Sequence, residues 1–281
     1  MSTRRYGVST HLYHSARLSR EHLLEIAAHG FECVELFATR THFDYHNPAS
    51  VADFQAWLGE AGLTLHGIHA PIGESFVGGR WGPPLTFATA DAAVRARALD
   101  ETERALQIAR RIPCQVLVVH LGLPRTQPAA SGNSRDGARR GVEAIERLVE
   151  PLGVRVAIEV IPNELSRAAS LVHFVEEVLE NSKAGICLDF GHAHMDGDVV
   201  DAIETVSEHL VTTHVHDNRG RTDDHLVPFD GTIDWPGALT TIQKVGYDGT
   251  FLFEIAAHGS AKETLVRARK ARQRMDGLLA A

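Results

Sequence analysis

Apolar residues arrive along this chain in eight short runs, and after each run they recur every three or four positions over a longer stretch. The runs are Tyr6–Leu12, Cys33–Phe37, Thr64–His69, Gln115–His120, Arg155–Val160, Ala184–Asp189, Val211–His216 and Thr250–Ile255. They are rich in Val, Ile and Leu with little polar alternation, the pattern of parallel strands covered on both faces. The longer stretches predict helices over Ser19–His29, Ala49–Ala61, Ala90–Arg111, Arg135–Leu152, Ala168–Asn181, Val199–Glu208, Trp235–Val245 and Ala261–Leu279. Ser19, Thr89 and Asp234 stand where N-caps belong, and Gly30, Gly62 and Gly246 where helices should stop. Strand-then-helix units repeated at this spacing leave about 35 residues each, which suits a closed (β/α)8 barrel. One barrel domain over residues 1–281 is therefore predicted. An open doubly wound sheet would carry a glycine-rich turn after its first strand. Here that strand ends in Ser9-Thr10-His11-Leu12.

Composition narrows the partners. A net charge of -8 argues against an electrostatic grip on nucleic acid or on an acidic membrane surface. No run approaches the ~18 consecutive apolar residues of a membrane span. Cys33, Cys114 and Cys187 lie far apart and form no C-x-x-C pair, so small buried hydrophobes in a reducing compartment are expected. Met1 to Tyr6 holds two arginines with no apolar stretch behind them, so no secretory leader is read there and the cytoplasm is the expected location.

The chemistry lies in what ends each strand. The third closes as L-H-G-I-H on His69 and the fourth as V-L-V-V-H on His120. The fifth carries Glu159 in V-A-I-E-V, and the sixth, I-C-L-D-F-G-H, brings Asp189 and His192. The seventh, T-T-H-V-H-D, brings His214, His216 and Asp217, its loop adds Asp223 and His225, and the eighth carries Glu254 in F-L-F-E-I. Alternate residues of a strand share a face. Leu65, Gly67 and His69 should therefore point one way, as should Val118 with His120, Ala157 with Glu159, Cys187 with Asp189, and Leu252 with Glu254. Singly, each has an ordinary explanation: a hydrogen-bonded core His, a structural ion pair, a turn Asp, a solvated loop. Jointly they place many polar groups at one end of one barrel, where uncompensated buried carboxylates cost several kcal/mol. A divalent metal compensates several at once, and nitrogen and oxygen donors without sulfur suit Zn, Mn, Co or Fe.

These strand ends resemble the xylose-isomerase-like TIM barrel superfamily, which holds sugar isomerases, sugar epimerases and endonuclease IV. The resemblance runs from G-V-S-T-H to F-L-F-E-I. The stretches L-D-F-G-H-A-H, H-V-H-D-N and D-D-H-L-V-P-F-D-G-T-I-D-W are similar to bacterial members described as sugar phosphate isomerase/epimerase-like. The epimerases of that superfamily bind one Mn, Co or Mg ion, and the resemblance places its ligands on Glu159, Asp189, His214 and Glu254. Endonuclease IV binds three zinc ions through nine ligands, which fall on His69, His120, Glu159, Asp189, His192, His214, Asp223, His225 and Glu254. The same residues thus admit one ion, the expected number, or up to three. The chain departs from the nuclease at I-E-V-I-P-N around Glu159 and at H-V-H-D, so nucleic acid is not the expected partner.

The resulting expectation is an isomerase or epimerase of a sugar, sugar phosphate or keto-polyol, working by proton transfer α to a metal-chelated carbonyl. Glu159 and Glu254 are the expected catalytic acid and base, with Asp189 and His214 as structural ligands. His216 and Asp217 are expected behind the ligands, Asp217 orienting an imidazole. Trp81, Phe76 and Phe43 are candidates to close over a sugar face, and Arg80, Arg125, Arg219 and Arg221 to meet a phosphate. The alternatives are a zinc phosphodiesterase like endonuclease IV, a keto-sugar lyase or dehydratase, and a metal-bound sugar-binding module. A homo-oligomer is compatible with all of these.

Overall fold

The computed structural model describes residues 4–280. Eight parallel strands close into a barrel: β1 (Tyr6–Ser9), β2 (Cys33–Phe37), β3 (Thr64–His69), β6 (Val116–Val119), β7 (Arg155–Glu159), β8 (Gly185–Asp189), β9 (Leu210–Val215) and β10 (Phe251–Phe253). Closure is made by β1, which pairs with β2 on one side and with β10 on the other. Two further short strands, β4 (Phe76–Val77) and β5 (Arg80–Trp81), form an antiparallel hairpin in the loop after β3. The helices are α1 (Arg20–Ala28), α2 (Pro48–Ala61), α3 (Ala92–Leu106), α4 (Arg135–Val149), α5 (Ala168–His173), α6 (Phe190–Asp196), α7 (Val199–Val206), α8 (Trp235–Lys244) and α9 (Ala261–Leu279). No described helix is long and apolar enough to cross a membrane.

The strands sort their side chains between two cores. Tyr6, Val34, Ile68, Leu117, Ile158, Leu188 and Phe253 face the helices, while Val116, Val118, Ala157 and Cys187 fill the barrel interior. Space inside is tight enough that a Cβ on Gly67 would lie 2.6 Å from Val116 Cγ2.

Strict alternation fails on β3. Its register against β2 shifts between Val34 and Glu35, so that Val34 opposes Leu65 but Glu35 opposes Gly67. The bulge leaves Leu65 in the outer core rather than beside His69, and His66 meets Thr212 Oγ1 across the interior at 2.9 Å.

Several local expectations shift. The first strand stops at Ser9, because Thr10–Tyr13 turns into a 3-10 helix whose Thr10 Oγ1 accepts from the Phe37 amide. Helix α3 is capped by Asp91, not Thr89: the carboxylate accepts from the amides of Ala93 and Val94. The helix expected over Ala168–Asn181 is a short α5 followed by a π-helical turn, Phe174–Val178. Helix α6 and the β4–β5 hairpin have no counterpart in the sequence reading.

Candidate metal centre

Every strand of the barrel except β2 carries a polar side chain at its C-terminal end or one residue beyond, and His120 is the one that directly follows β6. Glu159 lies at the centre, fully buried. Its Oε2 is 3.1 Å from His69 Nε2 and 2.9 Å from His120 Nε2. Its Oε1 is 3.2 Å from His214 Nδ1 and 3.3 Å from His192 Nδ1. Glu254 Oε2 stands 3.2 Å from the same His214 Nδ1, and Asp189 Oδ2 lies 3.9 Å from it. Beyond, Asp223 Oδ2 is 3.1 Å from both His192 Nε2 and His225 Nε2.

The other nitrogen of each ring decides what these contacts mean. His69 Nδ1 meets the Ala70 carbonyl, His192 Nδ1 the Val160 carbonyl, and His225 Nδ1 the Glu254 carbonyl. A carbonyl only accepts, so each of these nitrogens carries the proton. In a neutral ring the opposite nitrogen then presents a lone pair to a carboxylate, which also presents lone pairs. Such a contact needs a second proton or a cation between the two atoms.

His214 repeats the arrangement with a buried carboxylate behind it. Its Nε2 donates to Glu35 Oε2 at 3.2 Å, and Ser9 Oγ donates to Glu35 Oε1 at 3.2 Å. His214 Nδ1 and Glu159 Oε1, facing one another, are both buried without a hydrogen-bond partner.

Electrostatics describe the protonated alternative. Burial works against charge on Glu159, but the imidazoles of His214, His120 and His192 outweigh it and hold the carboxyl well below the usual range. Glu254 is held low in the same way by His214, and Asp223 by His225 and His192. Correspondingly, burial disfavours charge on His69, His192 and His214, yet the surrounding carboxylates raise all three. His225 is raised to about 10 against its own burial, chiefly by Asp223. Protons thus balance the carboxylates wherever no cation does, and a cation would displace them. Four overlapping donor sets fit one: Glu159, Asp189, His214 and Glu254; His69, His120 and Glu159; Asp189, His192 and His216; and His216, Asp223 and His225.

Not every expected residue joins. The Asp217 carboxylate orients no imidazole: it accepts from the amides of Asn218, Phe229 and Ile233 and from Trp235 Nε1, and only the Asp217 backbone carbonyl meets His216 Nδ1, at 3.4 Å. His216, expected behind the ligands, lies among the possible donors instead: its Nε2 is 3.0 Å from Asp189 and it belongs to two of the four sets. Phe43 is buried against Phe54 and leaves the mouth to Trp81 and Phe76. Arg125 is tied to Asp196 at 2.8 Å, and Arg80, Arg219 and Arg221 have solvent-exposed or partly exposed side chains outside the cavity lining.

Glu35, Ser9, His11 and His14 were not foreseen. Glu35 was detectable, as the one charge inside the apolar run C-V-E-L-F. His11 and His14 were not, because the turn that brings them to the mouth breaks the strand period. Burial pushes His11 down to about 3 and His14 down to about 4, so neither carries charge at neutral pH.

A cavity of ≈ 390 Å³ opens above the cluster, walled by Phe37, Trp81, Pro84 and Leu123 and floored by Glu159 and Glu254. A larger one of ≈ 490 Å³ sits at the other end of the barrel, by the starts of β7 and β8. Its Glu146 is already occupied in holding Ser182, Lys183 and Ala184. Convergent chemistry belongs to the mouth.

Comparison with known proteins agrees with the barrel fold. The profile described as xylose isomerase-like TIM barrel matches residues 23–277. A solved structure, a D-tagatose 3-epimerase-like protein, superposes with a TM-score of 0.78 at 23% identity, covering 98% of this chain and 97% of that one. An uncharacterised protein of Methanocaldococcus jannaschii is 24% identical over 89% of this chain and 83% of its own length. The L-ribulose-5-phosphate 3-epimerase of Salmonella paratyphi A is 27% identical over 59% of this chain and 58% of its own.

Proposed function

This chain belongs to the xylose isomerase-like TIM barrel family, and from that membership and the donor set at its mouth we propose a divalent-metal-dependent isomerase or epimerase of a sugar or keto-polyol. The observation that carries the metal is the pairing of lone pair against lone pair. His214 Nδ1 and Glu159 Oε1 lie 3.2 Å apart without hydrogen-bond partners, while His214 Nε2 is anchored on Glu35. Glu159, Asp189, His214 and Glu254 would hold the ion, their donor atoms lying within 4.8 Å of one another. A bound cation supplies Lewis-acid polarisation of a carbonyl and its neighbouring hydroxyl.

The chain's own groups do the rest. Glu159 and Glu254 each stand 3.2 Å from His214 Nδ1 and both line the cavity floor, so a substrate carbon held beside the ion would meet both carboxylates. One carboxylate removes the proton α to the carbonyl, and the other returns a proton to the opposite face or to the adjacent carbon. His69, His120, His192 and His225 then serve as hydrogen-bond partners for hydroxyl groups. The apolar wall excludes water that would quench the carbanion-like charge.

The three additional donor sets favour a second reading: a cluster of up to three ions that hydrolyses a phosphodiester by activating water. One experiment separates the two. Protein saturated with Mn or Zn is assayed for ion count, for exchange of ketose α-protons with deuterated water, and for phosphodiester cleavage. The isomerase reading expects exchange that Glu159→Gln and Glu254→Gln each reduce by about 10³-fold or more. Three ions with cleavage and no exchange would establish the nuclease-like reading instead.

A further inference from the structure

A phosphorylated sugar carries a dianion, and a protein that selects one meets it with a guanidinium, an ammonium or the open N-terminus of a helix. This cavity has none of these. Among the described residues, no Lys or Arg lines it. Arg125 directly follows Pro124, which does line it, yet the guanidinium is held on Asp196 at 2.8 Å, a carboxylate it shares with Arg167.

The N-termini of α3, α6, α8 and α9 are equally closed to an anion. Barrels that hold phosphate commonly do so at the loops after the last two strands, with a short extra helix. Here β10 leads through residues 254–260 without any helix. It reaches α9, where Ser260 Oγ already caps the Glu263 amide and Glu263 adds a carboxylate to the first turn. The N-termini of α3, α6 and α8 are capped by the carboxylates of Asp91, Asp189 and Asp234. Those caps repel the charge a phosphate would bring.

The wall facing the carboxylate cluster is apolar instead. Trp81 stacks on His14 with ring centroids 5.1 Å apart and lies edge-on to Phe37 at 6.2 Å. It remains 41% exposed, an aromatic surface held in place with nothing covering it. Aromatic rings of this kind receive the C–H face of a sugar.

We infer that the substrate is an uncharged, unphosphorylated polyhydroxy ketone whose carbonyl end meets the carboxylate cluster and whose distal C–H face lies on Trp81 and Phe37. The inference rests on the isomerase or epimerase reading above.

The test uses the metal-loaded protein and pairs of ketopentoses and ketohexoses that differ only in a terminal phosphate, with α-proton exchange followed by NMR. The expected result is a kcat/KM for the free ketose about tenfold or more above that of its phosphate. Inorganic phosphate should not compete at constant ionic strength. Trp81→Ala, at a partly exposed position, should raise KM for the free ketose several-fold with kcat nearly unchanged. Preference for the phosphorylated partner would overturn the inference while leaving the isomerase reading standing, and so would a Trp81→Ala variant with unaltered KM. Exchange with neither member of any pair would overturn both.

Discussion

Glu35 determines which nitrogen of His214 faces the site. A carboxylate cannot donate, so the contact at 3.2 Å places the proton on Nε2 and leaves Nδ1 free for a cation. Ser9 fastens the other Glu35 oxygen, which holds the carboxylate in position. Removing this support should loosen the metal without dismantling the barrel. Glu35→Ala is expected to weaken Mn or Zn binding by about 10–100-fold in chelator competition, and Glu35→Gln, which keeps an acceptor, should recover part of the loss. Equal affinity in all three proteins, with unchanged circular dichroism, would show that Glu35 does not position the ligand. The signal for Glu35 was in the sequence, since an inward carboxylate in an apolar run is the same evidence that marked Glu159 and Glu254. The role of Asp217 was not legible there. Adjacency to His216 suggested an imidazole partner, and only the folded loop shows the carboxylate taken up by three amides and an indole.

Among the elements, the loop between β9 and α8 contributes most to the site while having little regular structure of its own. It carries Asp223 and His225, and Asp217 at its base is what fastens it. Hydrogen bonds to a buried charge are stronger than neutral ones, and Asn in place of Asp217 turns an amide group toward other donors. Asp217→Asn should therefore lower unfolding free energy by about 2–4 kcal/mol, read from the denaturant midpoint. It should also weaken any ion that depends on Asp223 and His225. A variant as stable as the parent would mean that the loop is held by other contacts. Strand parity illustrates the limit of pattern reading at this scale. It placed Glu159, Asp189 and Glu254 correctly because β7, β8 and β10 are regular at their C-terminal ends. It misassigned Leu65 because a bulge in β3 inserts one residue, and bulges leave no period to detect.

The whole molecule couples the site to the fold, because the ligands come from strands that meet only when the barrel closes. A cation that binds the closed barrel and not the unfolded chain adds about 2.7 kcal/mol at 100 times its Kd. For a chain of 281 residues that should raise Tm by roughly 5 °C or more, and a chelator should reverse it. The rise should shrink as pH is lowered. His192, His214 and His225 are held protonated above the ordinary histidine value, so a cation must displace protons that acid supplies more readily. A Tm indifferent to Mn, Zn, Co and Mg at neutral pH would leave the donor sets as a proton-bridged network.

The sequence by itself determined the barrel and most of the residues at its mouth. Hydrophobic period and strand count are local properties, and polar residues ending apolar runs are visible without coordinates. Which nitrogen of each histidine faces the cluster, the backing of His214 by Glu35, the diversion of Asp217 and Arg125, and the carboxylate-capped helix ends were decided only by tertiary structure. Each of these depends on a partner far away in the chain: Glu35 lies on β2 and His214 on β9, and only closure of the barrel brings them within hydrogen-bonding distance.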